Sequence, residues 1–126
     1  MAKPLPGDVE MIERKRYWIA RYLGAYTKAR YKKQMEESVR ACLEKKSKLL
    51  LVDLRDLTGF TPTTQERYEF GKYGAQIAKE LDRVSVVGTA EQIDPEQFAT
   101  MVARNRGLAV RAFTDAKAAV EWLLNG

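Results

Sequence analysis

Leu49-Leu50-Leu51-Val52 is the longest unbroken aliphatic run in the chain, and it ends on Asp53. A strand that is apolar at every position has no face to give to water. It must be covered on both sides, as the strands of a parallel sheet are. The run therefore predicts a central strand in a layered α/β arrangement.

The flanking sequence agrees with that prediction. Val9–Glu13 and Tyr17–Leu23 are short stretches rich in Val, Ile, Tyr and Trp, separated by Arg14-Lys15-Arg16. They predict a strand pair, a hairpin at a sheet edge, whose charges discourage pairing with another chain. In the second stretch Trp18, Ala20 and Tyr22 fall on one face, and Tyr17, Ile19, Arg21 and Leu23 on the other. After Gly24 the period lengthens: Tyr31, Met35, Val39, Cys42 and Leu43 mark one face of a helix over 28–46. Thr63-Thr64-Gln65-Glu66 has the form of a capping box. The helix it opens turns Phe70, Tyr73, Ile77, Ala78 and Leu81 inward. Gly71 and Gly74 inside it each cost about 1 kcal/mol relative to alanine, which close approach of another backbone would explain.

Arg83–Gly88 reads as a third core strand. Asp94-Pro95-Glu96-Gln97 combines an N-cap with proline at the first helical position and predicts a helix start. That helix presents Phe98, Met101 and Val102 and stops at Gly107. Leu108–Phe113 is the final strand, and Thr114 or Asp115 caps a last helix with Ala116, Val120, Leu123 and Leu124 inside. The order is ββαβαβαβα, an α/β fold with a mostly parallel central sheet and helices packed on it. Residues 1–8 read as a flexible leader and 9–126 as a single domain, with no internal repeat.

Composition narrows the chemistry. The chain holds one cysteine, Cys42, and no histidine. Ser-His-Asp triads, Cys-His pairs and histidine-containing zinc sites are excluded, and no disulfide can form within the chain. Cys42 lies on an apolar helical stripe and reads as a buried, inert thiol. The apolar run is far too short to span a bilayer, and no apolar signal core follows Lys3. A cytoplasmic location without membrane insertion is expected. Net charge is +5, made of +7 over residues 1–48 and −2 over residues 49–126. The basic half interleaves Arg14, Lys15, Arg16, Arg21, Lys28, Arg30, Lys32 and Lys33 with Tyr17, Trp18, Tyr22, Tyr26 and Tyr31. Single-stranded nucleic acid is bound by such mixtures. Half of these aromatics, however, belong to the core if the strands are assigned correctly, and a solvated basic face is the plainer reading.

The element order, together with Leu49–Leu54, Asp56-Leu57-Thr58-Gly59-Phe60 and Arg83–Gly88, resembles the SpoIIAA-like family. That family is related in fold to the STAS domains of anti-sigma factor antagonists and, more distantly, to CRAL-TRIO lipid-binding domains. The resemblance covers roughly Val9 to Leu124. It implies a non-enzymatic regulatory or protein-interaction module, with a small apolar ligand or lipid as the alternative occupant. In the antagonists an Asp-Ser-Ser-Gly turn after a central strand is phosphorylated and switches partner binding. By motif Asp56-Leu57-Thr58-Gly59 matches it and places Thr58 at the switch; sliding from Asp53 without a gap places Thr63 there instead. Neither position is serine.

Ligands of such sheets sit at the carboxyl ends of the strands. The candidate interaction or switch loop is therefore Asp53, Asp56, Thr58, Gly59, Phe60, Thr61, Thr63 and Thr64, with Gly88 and Thr89 at the neighbouring strand end. A phosphate there would lie beside a helix N-terminus that attracts anions. The ordinary alternative makes Thr63 a cap and Thr58-Gly59 a turn. A modest pocket near Phe60, Tyr68 and Tyr73 would suit the apolar ligand. Asp53 and Asp56 stand where carboxylates can bind magnesium, yet no phosphate-cradling Gly-rich loop accompanies them. No cofactor is implied. Self-association would use an edge strand or Trp122, which lies off the inner stripe of the last helix.

Overall fold

A computed structural model describes residues 5–126. Along the chain come β1 (Val9–Glu13), β2 (Trp18–Tyr22), a short β3 (Gly24–Ala25), α1 (Lys28–Glu44) and β4 (Leu49–Asp53). They are followed by a short β5 (Leu57–Thr58), α2 (Thr64–Ile77), β6 (Arg83–Val87), α3 (Phe98–Asn105), β7 (Val110–Phe113) and α4 (Ala116–Asn125). The apolar run becomes the middle strand of a five-stranded sheet ordered β1-β2-β4-β6-β7. It runs parallel to both neighbours, with Leu50 opposite Trp18 on one side and Val84 on the other. Only β1 is antiparallel, paired to β2 from Val9↔Tyr22 to Glu13↔Trp18.

Alternation along the strands divides the core in two, as expected of side chains that point to opposite faces. Ala20, Tyr22, Leu50, Val52 and Val84 face α1, α2 and α3, where Val39, Cys42, Ala75 and Ala103 meet them. Leu51 and Val87 face α4 and pack against Ala119 and Leu123. Burying each such leucine contributes roughly 1.5–3 kcal/mol. Gly71 explains how α2 and α3 lie so close, since a Cβ there would sit 2.3 Å from the Ala99 carbonyl oxygen.

Three expectations are corrected, and one pair of strands is new. The described portion of the leader is not loose: Leu5 N–H donates to Val9 O at 2.7 Å and Gly7 N–H to Glu37 Oε2 at 2.6 Å. Asp8 forms an ion pair with Arg30, so residues 5–8 are hooked over α1; residues 1–4 lie outside the described residues. The third long helix begins at Phe98 rather than after Asp94. Asp94 caps a turn instead, accepting from Glu96 N–H and Phe98 N–H at 3.0 Å each. Gln97 then adopts a left-handed conformation at φ 53°. That turn frees the Gln97 amide to bond both the N–H and the carbonyl of Ala112, which closes some of the β7 edge. The short parallel pair β3–β5 was not expected and proves central to the candidate site. Finally, Trp122 is half-buried against Phe113, ring centres 6.0 Å apart, rather than free on the surface.

Among the described residues, no helix is long and apolar enough to cross a membrane.

Candidate functional site

The loop after β4 is built almost entirely from its own sequence. Asp53 is buried, and Arg55 returns to it: backbone N–H and Nε both reach Oδ1 at 3.0 Å, and Nη2 reaches Oδ2 at 2.9 Å. Burial alone would push this carboxyl up, but Arg55, with Arg21 behind it, outweighs burial and holds it below the usual carboxylate range. Asp56 points away and accepts from Arg21 Nε and Nη2 at 3.1 and 2.6 Å. Arg21 also reaches Glu10 at 2.6 Å. Each carboxylate is thus held by an arginine, which does not favour Asp53 and Asp56 as a joint magnesium site. Among the described residues, no three or more Asp, Glu, Cys or His gather as metal ligands would.

Beyond Asp56 the chain alternates between core and solvent. Leu57 and Phe60 are buried, while Thr58, Gly59, Thr61, Thr63 and Thr64 are exposed. Leu57 and Thr58 pair with Gly24 and Ala25, and Tyr26 N–H donates to Thr58 O at 2.8 Å. The Thr58 hydroxyl donates to Gly24 O at 3.4 Å. Gly59 follows at φ 67°, a conformation that favours glycine. Phe60 enters an aromatic cluster, 5.1 Å from both Tyr26 and Tyr31. The capping box is complete: Thr63 Oγ1 accepts from Glu66 N–H, and Glu66 Oε1 from Thr63 N–H, both at 3.0 Å. The two threonines therefore differ. Thr63 spends its oxygen on the helix, whereas Thr58 lies exposed on β5.

Gly88 and Thr89 meet this loop through a residue the sequence reading missed. Gln92 is buried; its Nε2 donates to Leu54 O at 2.7 Å and Leu57 O at 3.3 Å, and its Oε1 accepts from Thr89 N–H at 2.9 Å. One amide therefore ties together the carboxyl ends of β4 and β6. A glutamine in a polar stretch carries no periodic signal that would have marked it.

Next to this junction, a cavity of about 130 Å³ lies between the sheet and the α1–α3 layer. Leu50, Val52, Val84, Phe70, Ile77 and Ala103 form its apolar walls. Phe60 lines it as expected; Tyr68 and Tyr73 do not. Tyr68 meets Arg106, and the Tyr73 hydroxyl meets Glu36. Tyr22, Tyr26 and Tyr31 pack edge-on in or beside the core, so they offer no open stacking face to a nucleic acid. Cys42 is fully buried, and burial pushes its thiol pKa up, as an inert cysteine requires.

The family model described as SpoIIAA-like matches residues 18–124. The chain belongs to the SpoIIAA-like family. Its fold is similar to the crystal structure of an uncharacterised DUF3478-family protein with a SpoIIAA-like fold from Shewanella loihica PV-4. The TM-score is 0.57 at 24% identity, over 98% of each chain. At that identity the likeness speaks to fold alone. No curated protein matches the chain. The SpoIIAA-like match ends one residue short of the α4 terminus and begins at β2, so β1 lies outside it.

Proposed function

We propose that this SpoIIAA-like domain is a non-enzymatic binding module with a regulatory role, and that it binds a small apolar ligand. The observation that carries the proposal is the apolar cavity of about 130 Å³ between sheet and helices. Interiors are normally packed to the density of organic crystals, with few voids larger than water. A largely apolar cavity near this size has room for a benzene-sized molecule. The cavity adjoins the carboxyl ends of the parallel strands, where α/β folds hold their ligands. The non-catalytic reading is supported by Asp53 and Asp56 each being engaged by an arginine and by the burial of Cys42.

A second reading makes the outer side of the Asp53–Thr64 loop a protein-docking surface. It is favoured by the exposure of Arg55, Asp56, Thr58, Thr61 and Thr64 on a loop held rigid from below by Gln92 and β3. Both readings are compatible, since the wall residue Phe60 belongs to that loop.

Native mass spectrometry of the protein purified from its own host, beside a denaturing measurement, tests the proposal. A non-covalent adduct lost on denaturation is expected. A bare chain whose melting temperature is also unmoved by small apolar compounds overturns it. Phosphate mapped to Thr58 would favour the docking reading.

A further inference from the structure

We infer that the ligand is a small apolar acid, its carboxylate on Arg67 and its hydrocarbon moiety in the cavity. This rests on the apolar-ligand reading and adds the chemical class. Besides the hydroxyls of Tyr22 and Tyr31, six polar side chains line the cavity: Ser38, Arg67, Gln92, Asp94, Gln97 and Thr100. Five are already committed. Ser38 bonds Tyr22 and Met35 O, and Gln92 holds two carbonyls and an N–H. Asp94 accepts one backbone N–H on each oxygen, Gln97 bonds Ala112 twice, and Thr100 donates to Gln97.

Arg67 is the one uncommitted charged group of the lining; among the described residues the Tyr31 hydroxyl, which feels the Arg67 charge, also has no hydrogen-bond partner and is a neutral donor. Among the described residues the Arg67 guanidinium has no hydrogen-bond or ion-pair partner, and it lies over the Phe60 ring, 6.0 Å from the ring centre. It is half-buried, and its charge is felt by Tyr26, Tyr31 and Asp94. Five N–H donors in a planar fork match a carboxylate, and such a pair strengthens where water is partly excluded. Asp94 would repel an anion, but its oxygens are turned to the backbone of Glu96 and Phe98. A protonated amine would be repelled by the Arg67 charge and would find no free carboxylate there. The cavity volume limits the apolar moiety to about one aromatic ring or a chain of comparable bulk.

Benzoate and hexanoate, each against its neutral amide, are the probes, titrated into the whole protein and followed by amide NMR shifts. Salt near physiological strength screens the exposed cations. The acids are expected to bind about tenfold or more tighter than the amides, with shifts centred on Val84 and Ala103. Arg67→Gln should erase that preference by weakening acid binding far more than amide binding, and Arg67→Lys should keep some of it. Equal binding of acid and amide by the wild type would overturn the inference and leave the apolar-ligand reading standing. A preference that survives Arg67→Gln would overturn the assignment to Arg67. If neither acid nor amide binds, the apolar-ligand reading falls and takes the inference with it.

Discussion

Gly71 lies against the Ala99 carbonyl so closely that a Cβ would stand 2.3 Å from its oxygen and 2.8 Å from Val102 Cβ. Gly74, one turn on, meets only the Met35 methyl at 3.3 Å. Both glycines cost the helix about 1 kcal/mol of propensity, yet only one is required. Gly71→Ala must push α2 and α3 apart and is expected to destabilise by about 1–3 kcal/mol. Gly74→Ala displaces the end of a flexible side chain and is expected to stabilise by a few tenths up to about 1 kcal/mol. Urea midpoints of the two variants check the contrast; equal shifts would contradict it.

Gln92 answers three backbone groups from one side chain. Truncation takes a donor from the Leu54 and Leu57 carbonyls and the acceptor from the Thr89 N–H, with only Leu54 O keeping a second partner, the Leu57 N–H at 3.0 Å; a buried group left unpaired costs about 1–3 kcal/mol. Gln92→Ala is therefore expected to cost about 3 kcal/mol. Gln92→Glu is expected to be at least as severe, because a carboxylate replaces the amide that donates to two carbonyls. Hydrogen exchange should rise first at the Leu57 and Thr89 amides. Loss spread evenly over all strands would argue that Gln92 is a general core residue instead.

What could be read from the sequence followed periodicity, and what could not be read depended on single side chains acting at a distance. The five sheet strands and the first, second and last helices announce themselves by an unbroken apolar run, by alternation or by the three- and four-residue stripe, because burial imposes these patterns. The capping box at Thr63 is a local device and was equally visible. Asp94-Pro95 has the same local form, yet the left-handed Gln97 delays the helix to Phe98 so that its amide can meet Ala112. β3 and β5 are two residues each and have no period to show. Of the site, the loop was located by the topological rule for strand ends. Gln92 and Arg67 were not, since what singles them out is respectively three partners and none.

Asp53 and Asp94 make stability depend on acid. Burial raises the Asp53 carboxyl, but the Arg55 hydrogen bonds and the charges of Arg55 and Arg21 win, so its folded pKa is below the usual value. Asp94 is lowered by the N–H groups of Phe98 and Glu96 and by the Arg67 charge. With depressed folded values the unfolded state binds more protons below about pH 4, so stability falls as pH falls through that range. Asp53→Asn should be less stable than the wild type near neutrality and converge with it in strong acid. Parallel curves at all pH values would show that the charge on Asp53 contributes nothing.

At the alkaline end the sign reverses, and the tyrosine cluster sets it. Burial raises the hydroxyl pKa of Tyr22, Tyr26 and Tyr31; the Tyr26 hydroxyl is raised further by its hydrogen bond to Glu66. The neighbouring Arg67 opposes the shift at Tyr31, and Ser38 opposes it at Tyr22, without overcoming burial. A folded pKa above the unfolded value of about 10 means the unfolded chain loses its protons first. The stability from these neutral hydroxyls is complete below about pH 10 and drains away as pH rises toward the folded values. Unfolding midpoints should therefore drop steeply above that point. Tyr31→Phe keeps the ring that packs 4.6 Å from Phe70 and 5.1 Å from Phe60. It removes one of the titrating groups, so its midpoint should fall less steeply with pH than that of the wild type while differing little near neutrality. An unchanged slope in that variant would mean that Tyr31 titrates alike in both states and that Tyr22 and Tyr26 carry the whole alkaline limb.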